Sequence, residues 1–155
     1  MKTDKSCYLD ANFLIAFFLP NHPDEKASRK KMFELFTQYE HLLISCLAID
    51  ETMHKIWFIS NEQRPRGQPE KIHKDFYPLY KRMLNYMLKS PLMEFIQFEN
   101  DIEQGLRNAI ENIYKYDFQP RDAFHYAMMQ DLNVDCIVTK DTDFKKIQNL
   151  TIISF

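Results

Sequence analysis

Short apolar runs alternate with longer amphipathic segments along the chain, and this alternation constrains the fold more than any other feature of the sequence. The runs predict buried strands at residues 7–9, 41–46, 92–98, 134–139 and 151–154. Between them, apolar residues three and four positions apart predict helices. Because neighbouring parallel strands need a helical crossover, the alternation predicts an α/β fold with a mostly parallel sheet.

Prolines and one loop mark the ends of the predicted helices. These helices span residues 11–19, 24–40, 48–62, 72–90, 99–116, 120 to about 132 and 141–148. Pro20 ends the first helix, Pro120 begins the sixth, and Pro78 should kink or divide the fourth. The stretch QRPRGQPEK, residues 63–71, has no periodicity and predicts a surface loop. With the helix after it, this loop forms an insertion at about residues 63–90 in a single domain of residues 1–155.

Composition narrows the class of protein. With 155 residues, 45% of them hydrophobic, and a net charge of -2, the chain can bury one core and is not disordered, fibrous or uniformly basic. Its two glycines give no phosphate-binding loop or dinucleotide fingerprint. No stretch approaches the roughly 20 apolar residues of a membrane span. We therefore expect a soluble cytoplasmic protein that does not enter a membrane.

The three cysteines, Cys7, Cys46 and Cys136, each lie in a short apolar run and include no CxxC pair. They are predicted to be small buried core residues in a reducing compartment. A zinc site or a reactive thiol is the alternative, and no metal-ligand spacing supports it.

Acidic residues follow the predicted strands or begin the predicted helices. These residues are Asp10, Glu51, Asp122, Asp141 and Asp143. Parallel strands end at one edge of a sheet, where ligands bind, so Asp10, Glu51 and Asp141 should meet there, although periodicity alone does not place Asp122. Each acid could simply cap a helix. As a group, carboxylates with Asn12 and the hydroxyl of Thr139 or Thr142 nearby favour Mg²⁺ or Mn²⁺ over zinc.

Four short motifs resemble, in order, the acidic motifs of the PIN-domain nucleases. They are YLDANFLIA around Asp10, LAIDET around Glu51, RDAFHYA around Asp122 and TKDTDF around Asp141. The resemblance covers almost the whole chain and implies a three-layer α/β/α sandwich with a central parallel sheet. It also implies Mg²⁺- or Mn²⁺-dependent cleavage of RNA, as in toxins of bacterial toxin–antitoxin pairs, an antitoxin protein as partner, and a homodimer.

The resemblance also assigns roles to individual residues. It implies that Asp10, Glu51, Asp122 and Asp141 bind the metal, with Asp143 as an accessory ligand. Asn12 and Thr139 match polar positions that support these acids, and Thr142 is a further candidate. The chain departs from the commonest toxin pattern in the long segment from Gln63 to Ser90.

Three other interpretations remain. His54 follows Glu51 by three residues and His125 follows Asp122 by three, a spacing that imitates half of a di-iron helical bundle. We interpret both histidines instead as ordinary polar residues beside the site. A catalytically inactive PIN-like module that binds RNA or protein is the second interpretation, and an oligomer surface formed by residues 72–87 is the third.

Positive charge concentrates in the predicted insertion. Residues 63–82 carry six cations and two acids, a local charge of +4 that leaves -6 for the rest of the chain. Arg64, Arg66, Lys71 and Lys74 are therefore candidate RNA-binding residues, unless the segment is only a solvated surface. Residues 29–31, RKK, form a second basic patch.

Overall fold

A computed structural model of the protein describes residues 5–99 and 101–155. Residues 1–4, which belong to the predicted domain, lie outside the described residues. Residue 100, which belongs to the predicted helix 99–116, also lies outside them. The strands are β1 (Ser6–Leu9), β2 (His41–Ser45), β3 (Met93–Ile96), β4 (Cys136–Val138) and β5 (Thr151–Ile153). The helices are α1 (Ala11–Phe18), α2 (Glu25–Gln38), α3 (Cys46–Glu62), α4 (Tyr77–Lys89), α5 (Ile102–Tyr116) and α6 (Pro120–Asp131), with short 3₁₀ helices at His73–Phe76 and Asp143–Lys146.

The five strands form one sheet in the order β3-β2-β1-β4-β5, and every described pairing is parallel. Tyr8 of β1 pairs with Leu43 of β2 on one side and Ile137 of β4 on the other. The chain order therefore reverses at β1, with β2 and β3 to one side and β4 and β5 to the other. Ligands of open α/β sheets bind outside the carboxyl ends of the strands at such a reversal.

Helices cover both faces of the sheet. Cys7, Leu9 and Val138 face a core formed with α1 to α4, whereas Tyr8 and Ile137 face a core formed with α6 and the 3₁₀ helix near Phe144. Successive side chains of a strand point to opposite faces, so β1 and β4 contribute to both cores. The predicted α/β fold and three-layer sandwich are confirmed.

The structure corrects the predicted start of two helices. Ser45 ends β2 and accepts a hydrogen bond from the Ala48 amide, so α3 begins at Cys46 rather than at Ala48. Pro78 lies in the first turn of α4, where its missing N–H costs nothing, and the residues before it form the 3₁₀ helix. The predicted helix 72–90 is therefore divided just before Pro78 rather than kinked at it, which is one of the two predicted outcomes.

The predicted burial of Cys46 is wrong, and α5 exposes part of its apolar face. Ile102 and Ile110 are each 65% accessible, whereas Ala109 is buried together with Gly105 and Asn112. Small residues let α5 approach its neighbours closely: a Cβ on Gly105 would lie 2.4 Å from the Phe98 ring. Cys46 is exposed because it begins α3 at the protein surface, whereas Cys7 and Cys136 are buried as predicted.

Within the described residues, no helix is long and apolar enough to cross a membrane.

Candidate metal-binding site

Asp10 lies at the carboxyl end of β1, directly before α1, and is buried. Its Oδ1 accepts a hydrogen bond from the Ala11 amide at 2.7 Å, and its Oδ2 accepts one from the Thr139 hydroxyl at 2.7 Å. Burial raises the pKa of Asp10, and these two hydrogen bonds partly oppose the shift. The carboxylate is therefore held in one orientation between the ends of β1 and β4.

The Thr139 hydroxyl connects two segments at this edge of the sheet, residues 10–12 and 139–141. Besides donating to Asp10, it accepts hydrogen bonds from the Asn12 side-chain amide at 2.8 Å and from the Asp141 amide at 2.9 Å. Thr139 is completely buried, so its hydroxyl has no water to replace a lost partner. This one side chain fixes Asp10 and the start of the segment that carries Asp141.

A buried chain of hydrogen bonds orients Glu51. His125 Nε2 lies 3.3 Å from Glu51 Oε2, and His125 Nδ1 lies 2.6 Å from the Tyr8 hydroxyl. That hydroxyl lies 2.6 Å from Ser45 Oγ. Every donor meets an acceptor when Ser45 donates to Tyr8, Tyr8 donates to Nδ1 and Nε2–H donates to Glu51. The hydrogen bond from His125 lowers the pKa of Glu51, so this carboxylate is ionised at neutral pH.

Asp122 lies in the first turn of α6. Burial raises its pKa to about 6, and the nearby charges of Asp141 and Asp10 contribute to the shift. Asp122 lines the same cavity as Asp10, Glu51 and Asp141, so it lies among the other acids. Periodicity alone could not make this assignment.

One cavity of about 330 Å³ brings these groups together. Its lining includes the four predicted metal-binding acids Asp10, Glu51, Asp122 and Asp141, together with Asn12. All four acids supply carboxylate oxygens and no thiol lines the cavity, so the donor set fits a hard divalent cation. No three His, Cys, Asp or Glu side chains in residues 5–99 and 101–155 already stand close enough to hold a metal.

The remaining predicted site residues lie outside this cavity lining. Asp143 donates its amide to Asp141 Oδ1 at 2.8 Å, but its own carboxylate pairs with Lys146 at 3.1 Å. Thr142 is exposed and its side chain does not cap the 3₁₀ helix that follows. The four candidate RNA-binding residues, Arg64, Arg66, Lys71 and Lys74, are exposed, and Arg64 lies 3.8 Å from Glu70.

Three cations that the sequence analysis did not single out border the acids. Lys55 and Lys140 line the cavity, and Arg121 NH1 lies 3.8 Å from Glu51 Oε1. Lys140 also pairs with Asp24 at 2.7 Å and lies over the Phe155 ring. Arg121 and Lys140 directly precede Asp122 and Asp141 in the motifs, and Lys55 lies one helical turn after Glu51. This proximity to the acids was the signal available in the sequence.

Comparisons with known proteins agree with this architecture. A family model described as the PIN domain matches residues 7–150. Comparison with curated protein sequences gives no significant match.

Three solved structures share the fold at low sequence identity. The sarcin-ricin-loop-cleaving toxin VapC20 of Mycobacterium tuberculosis is 15% identical with a TM-score of 0.60, covering 90% of this chain and 92% of that one. VapBC2 of Rickettsia felis, bound to a promoter DNA fragment, is 15% identical with a TM-score of 0.61, covering 96% and 98%. A toxin–antitoxin complex from Klebsiella pneumoniae is 16% identical with a TM-score of 0.62, covering 95% of each chain.

Proposed function

The chain belongs to the PIN domain family, and from that premise we propose that it is a metal-dependent endoribonuclease that hydrolyses phosphodiester bonds of single-stranded or structured RNA. One observation carries the proposal: four carboxylates from separate segments line a single cavity at the reversal point of the sheet. Structural proteins have no need for such an arrangement, since clustered like charges reduce stability.

The four acids Asp10, Glu51, Asp122 and Asp141 would hold Mg²⁺ or Mn²⁺. A bound divalent ion supplies a water of lowered pKa and neutralises charge on the departing oxygen. Thr139 keeps Asp10 in place, and His125 orients Glu51 with its carboxylate ionised. These contacts limit the side-chain rearrangement that catalysis requires.

The cations around the cavity would bind the RNA backbone. Lys55 and Lys140 line the cavity beside the acids, and Arg121 lies next to Glu51. Positive side chains at this rim would attract phosphates and offset the repulsion between RNA and the carboxylates. The exposed cations of the insertion would extend this surface.

The proposal includes a role as the toxin of a toxin–antitoxin pair. The fold shared with VapC20 and with two toxin–antitoxin assemblies supports this role. An antitoxin protein would then be the partner, and two toxin chains could associate as a homodimer. Co-expression with the adjacent open reading frame should yield a stable complex in which RNA cleavage is inhibited.

Cleavage of a labelled single-stranded RNA in Mn²⁺ tests the enzymatic proposal. Asp10→Asn and Asp141→Asn should each lower the rate at least about 10²-fold, because each removes a ligand that stabilises the transition state by several kcal/mol. Asp50→Asn is the matched control, since Asp50 is exposed and adjacent to Glu51 but outside the cavity lining. A wild-type protein that binds RNA without cleaving it would be the inactive binding module instead.

A further inference from the structure

Cys7 and Cys136 lie opposite each other on the two central strands of the sheet. Tyr8 pairs with Ile137 and Leu9 with Val138, so the same register places Cys7 beside Cys136. Both side chains pack into the core on the α1 to α4 side of the sheet. The two sulfur atoms are 2.8 Å apart, closer than the roughly 3.5–4.0 Å that suits unbonded heavy atoms.

The backbone geometry suits a disulfide. Neighbouring parallel strands lie about 4.7–4.9 Å apart, and disulfides join residues whose Cα atoms are about 4.4–6.8 Å apart. The sulfurs need to approach by less than 1 Å to reach the bond length of about 2.05 Å. Side-chain rotation supplies a movement of this size without displacing either strand.

Cys136, unlike Cys7, lines a cavity at the opposite end of the strands from the acids. This cavity has a volume of about 850 Å³, and Cys136, Tyr39 and Lys5 are among its lining residues. The Tyr39 hydroxyl lies 3.2 Å from Cys136 Sγ. Hydrogen bonds from Cys7 and then Tyr39 lower the pKa of Cys136, whereas the pKa of Cys7 is raised. Because Cys136 lines the cavity, it is the thiol that a small molecule entering the cavity would contact.

We propose that Cys7 and Cys136 form an oxidisable dithiol that hydrogen peroxide converts into a disulfide joining β1 to β4. The Cys136 thiolate attacks one peroxide oxygen, the O–O bond breaks, and the departing hydroxide takes a proton to become water. The Cys7 sulfur then attacks the resulting sulfenic acid, its S–O bond breaks, and the thiol proton leaves in a second water. Two thiols lose two electrons in total, and one peroxide is reduced to two waters.

The proposal of a dithiol does not depend on the proposed nuclease activity. The two cysteines nevertheless lie on β1 and β4, the strands that Asp10 and Asp141 follow. Cys7 precedes Asp10 by three residues, and Cys136 precedes Thr139 by three. The disulfide would therefore join the strands that end in the Asp10–Thr139 hydrogen bond. It would also restrict the unfolded chain, so oxidation should raise the melting temperature.

The test uses the full chain carrying Cys46→Ser, which removes the exposed third thiol while leaving the pair intact. Folded protein is treated with hydrogen peroxide, alkylated and analysed by intact mass and peptide mapping. We expect the loss of two hydrogens, a cross-linked pair of peptides containing Cys7 and Cys136, a raised melting temperature and reversal by dithiothreitol. Two free thiols after treatment with excess peroxide, or oxidation of Cys136 to sulfinic acid without the cross-link, would overturn the proposal.

Two variants separate the roles of the thiols. Cys7→Ser should accumulate a sulfenic acid at Cys136 that dimedone traps, whereas Cys136→Ser should show no such adduct at Cys7. Tyr39→Phe removes a hydrogen bond that favours the Cys136 thiolate, so a smaller fraction of Cys136 is ionised. Each remaining thiolate is more nucleophilic, which partly compensates, so formation of the disulfide should slow only about twofold. Dimedone labelling of Cys7 in preference to Cys136 would contradict the assigned order of attack.

Discussion

Thr139 and His125 show how single buried side chains control the carboxylates. The resemblance to PIN nucleases assigned Thr139 a supporting position, and its hydroxyl does contact Asp10, Asn12 and Asp141. His125, in contrast, was interpreted as an ordinary polar residue beside the site, yet it is completely buried between Glu51 and Tyr8. A position three residues after an acid does not reveal which face of α6 meets the sheet.

Replacement of Thr139 by valine should disrupt the site without changing side-chain shape. The loss of the hydroxyl leaves buried polar partners unsatisfied, which should lower the free energy of unfolding by about 1–3 kcal/mol. It should also weaken Mn²⁺ affinity about 10- to 100-fold by releasing Asp10. Thr142→Val is the matched control and should change stability by less than about 0.5 kcal/mol, because Thr142 is exposed. Urea denaturation and Mn²⁺ titration measure both effects, and equal losses in the two variants would contradict the assignment.

The elevated pKa of Asp122 should appear as a pH-dependent loss of stability in the metal-free protein. Its folded-state pKa of about 6 exceeds the unfolded value of 3.8, so the folded chain binds the proton more tightly. Stability attributable to Asp122 should therefore fall as pH rises from about 4 to about 6. Asp122→Asn should be nearly as stable as wild type at pH 4 and about 1–2 kcal/mol more stable at pH 7, after allowance for solvent screening. Denaturation of both proteins in EDTA across this range gives the difference, and a pH-independent difference would exclude this cause.

At the scale of helices and strands, periodicity predicted the elements more accurately than their orientation. The alternation of apolar runs and amphipathic segments identified all five strands of the described sheet and their order along the chain. It could not show that Gly105 and Asn112 of α5 are buried beside Ala109, because a glycine and a polar side chain carry no hydrophobic signal. Because α5 packs through these buried residues, the apolar side chains of Ile102 and Ile110 lie on the surface.

The cations of the predicted insertion should contribute to RNA affinity rather than to catalysis. Replacing Arg64, Arg66, Lys71 and Lys74 together by alanine should flatten the dependence of log K on log salt by about 0.7 for each lost phosphate contact. Turnover at saturating RNA should change little, because none of the four lines the acid cavity among the described residues. Fluorescence anisotropy in Ca²⁺, which should suppress cleavage, measures the slope.

A second basic segment provides the control for this measurement. Arg29, Lys30 and Lys31 lie on α2 in ion pairs with Glu25 and Glu34, so their charge is already partly neutralised. Replacing these three by alanine should alter the slope less than the quadruple variant does. An unchanged slope in the quadruple variant would mean that the insertion is a solvated surface and that RNA binds elsewhere.

At the scale of the whole molecule, the strand order explains why acids distant in sequence share one cavity. Asp10 follows the central strand β1, and Asp141 follows β4, which pairs with it. The sequence predicted that these two acids would meet because both follow strands of one parallel sheet. It could not place Asp122, whose position depends on how α6 packs across the sheet, nor Lys55 and Lys140 beside the acids.

Divalent ion binding should stabilise the whole fold, because the four carboxylates come from segments distributed along most of the chain. At about 100 times its dissociation constant, an ion adds about 2.7 kcal/mol to the free energy of unfolding. For a chain of this size, that gain corresponds to a rise of about 5–10 °C in melting temperature. The rise should occur with Mn²⁺ in wild type and in Asp50→Asn, and most of it should be lost in Asp10→Asn and Asp141→Asn. Scanning calorimetry at pH 7 across a Mn²⁺ series measures these shifts. An unchanged melting temperature of the wild type at millimolar Mn²⁺, or an equal rise in all four proteins, would show that the acid cavity does not bind the ion.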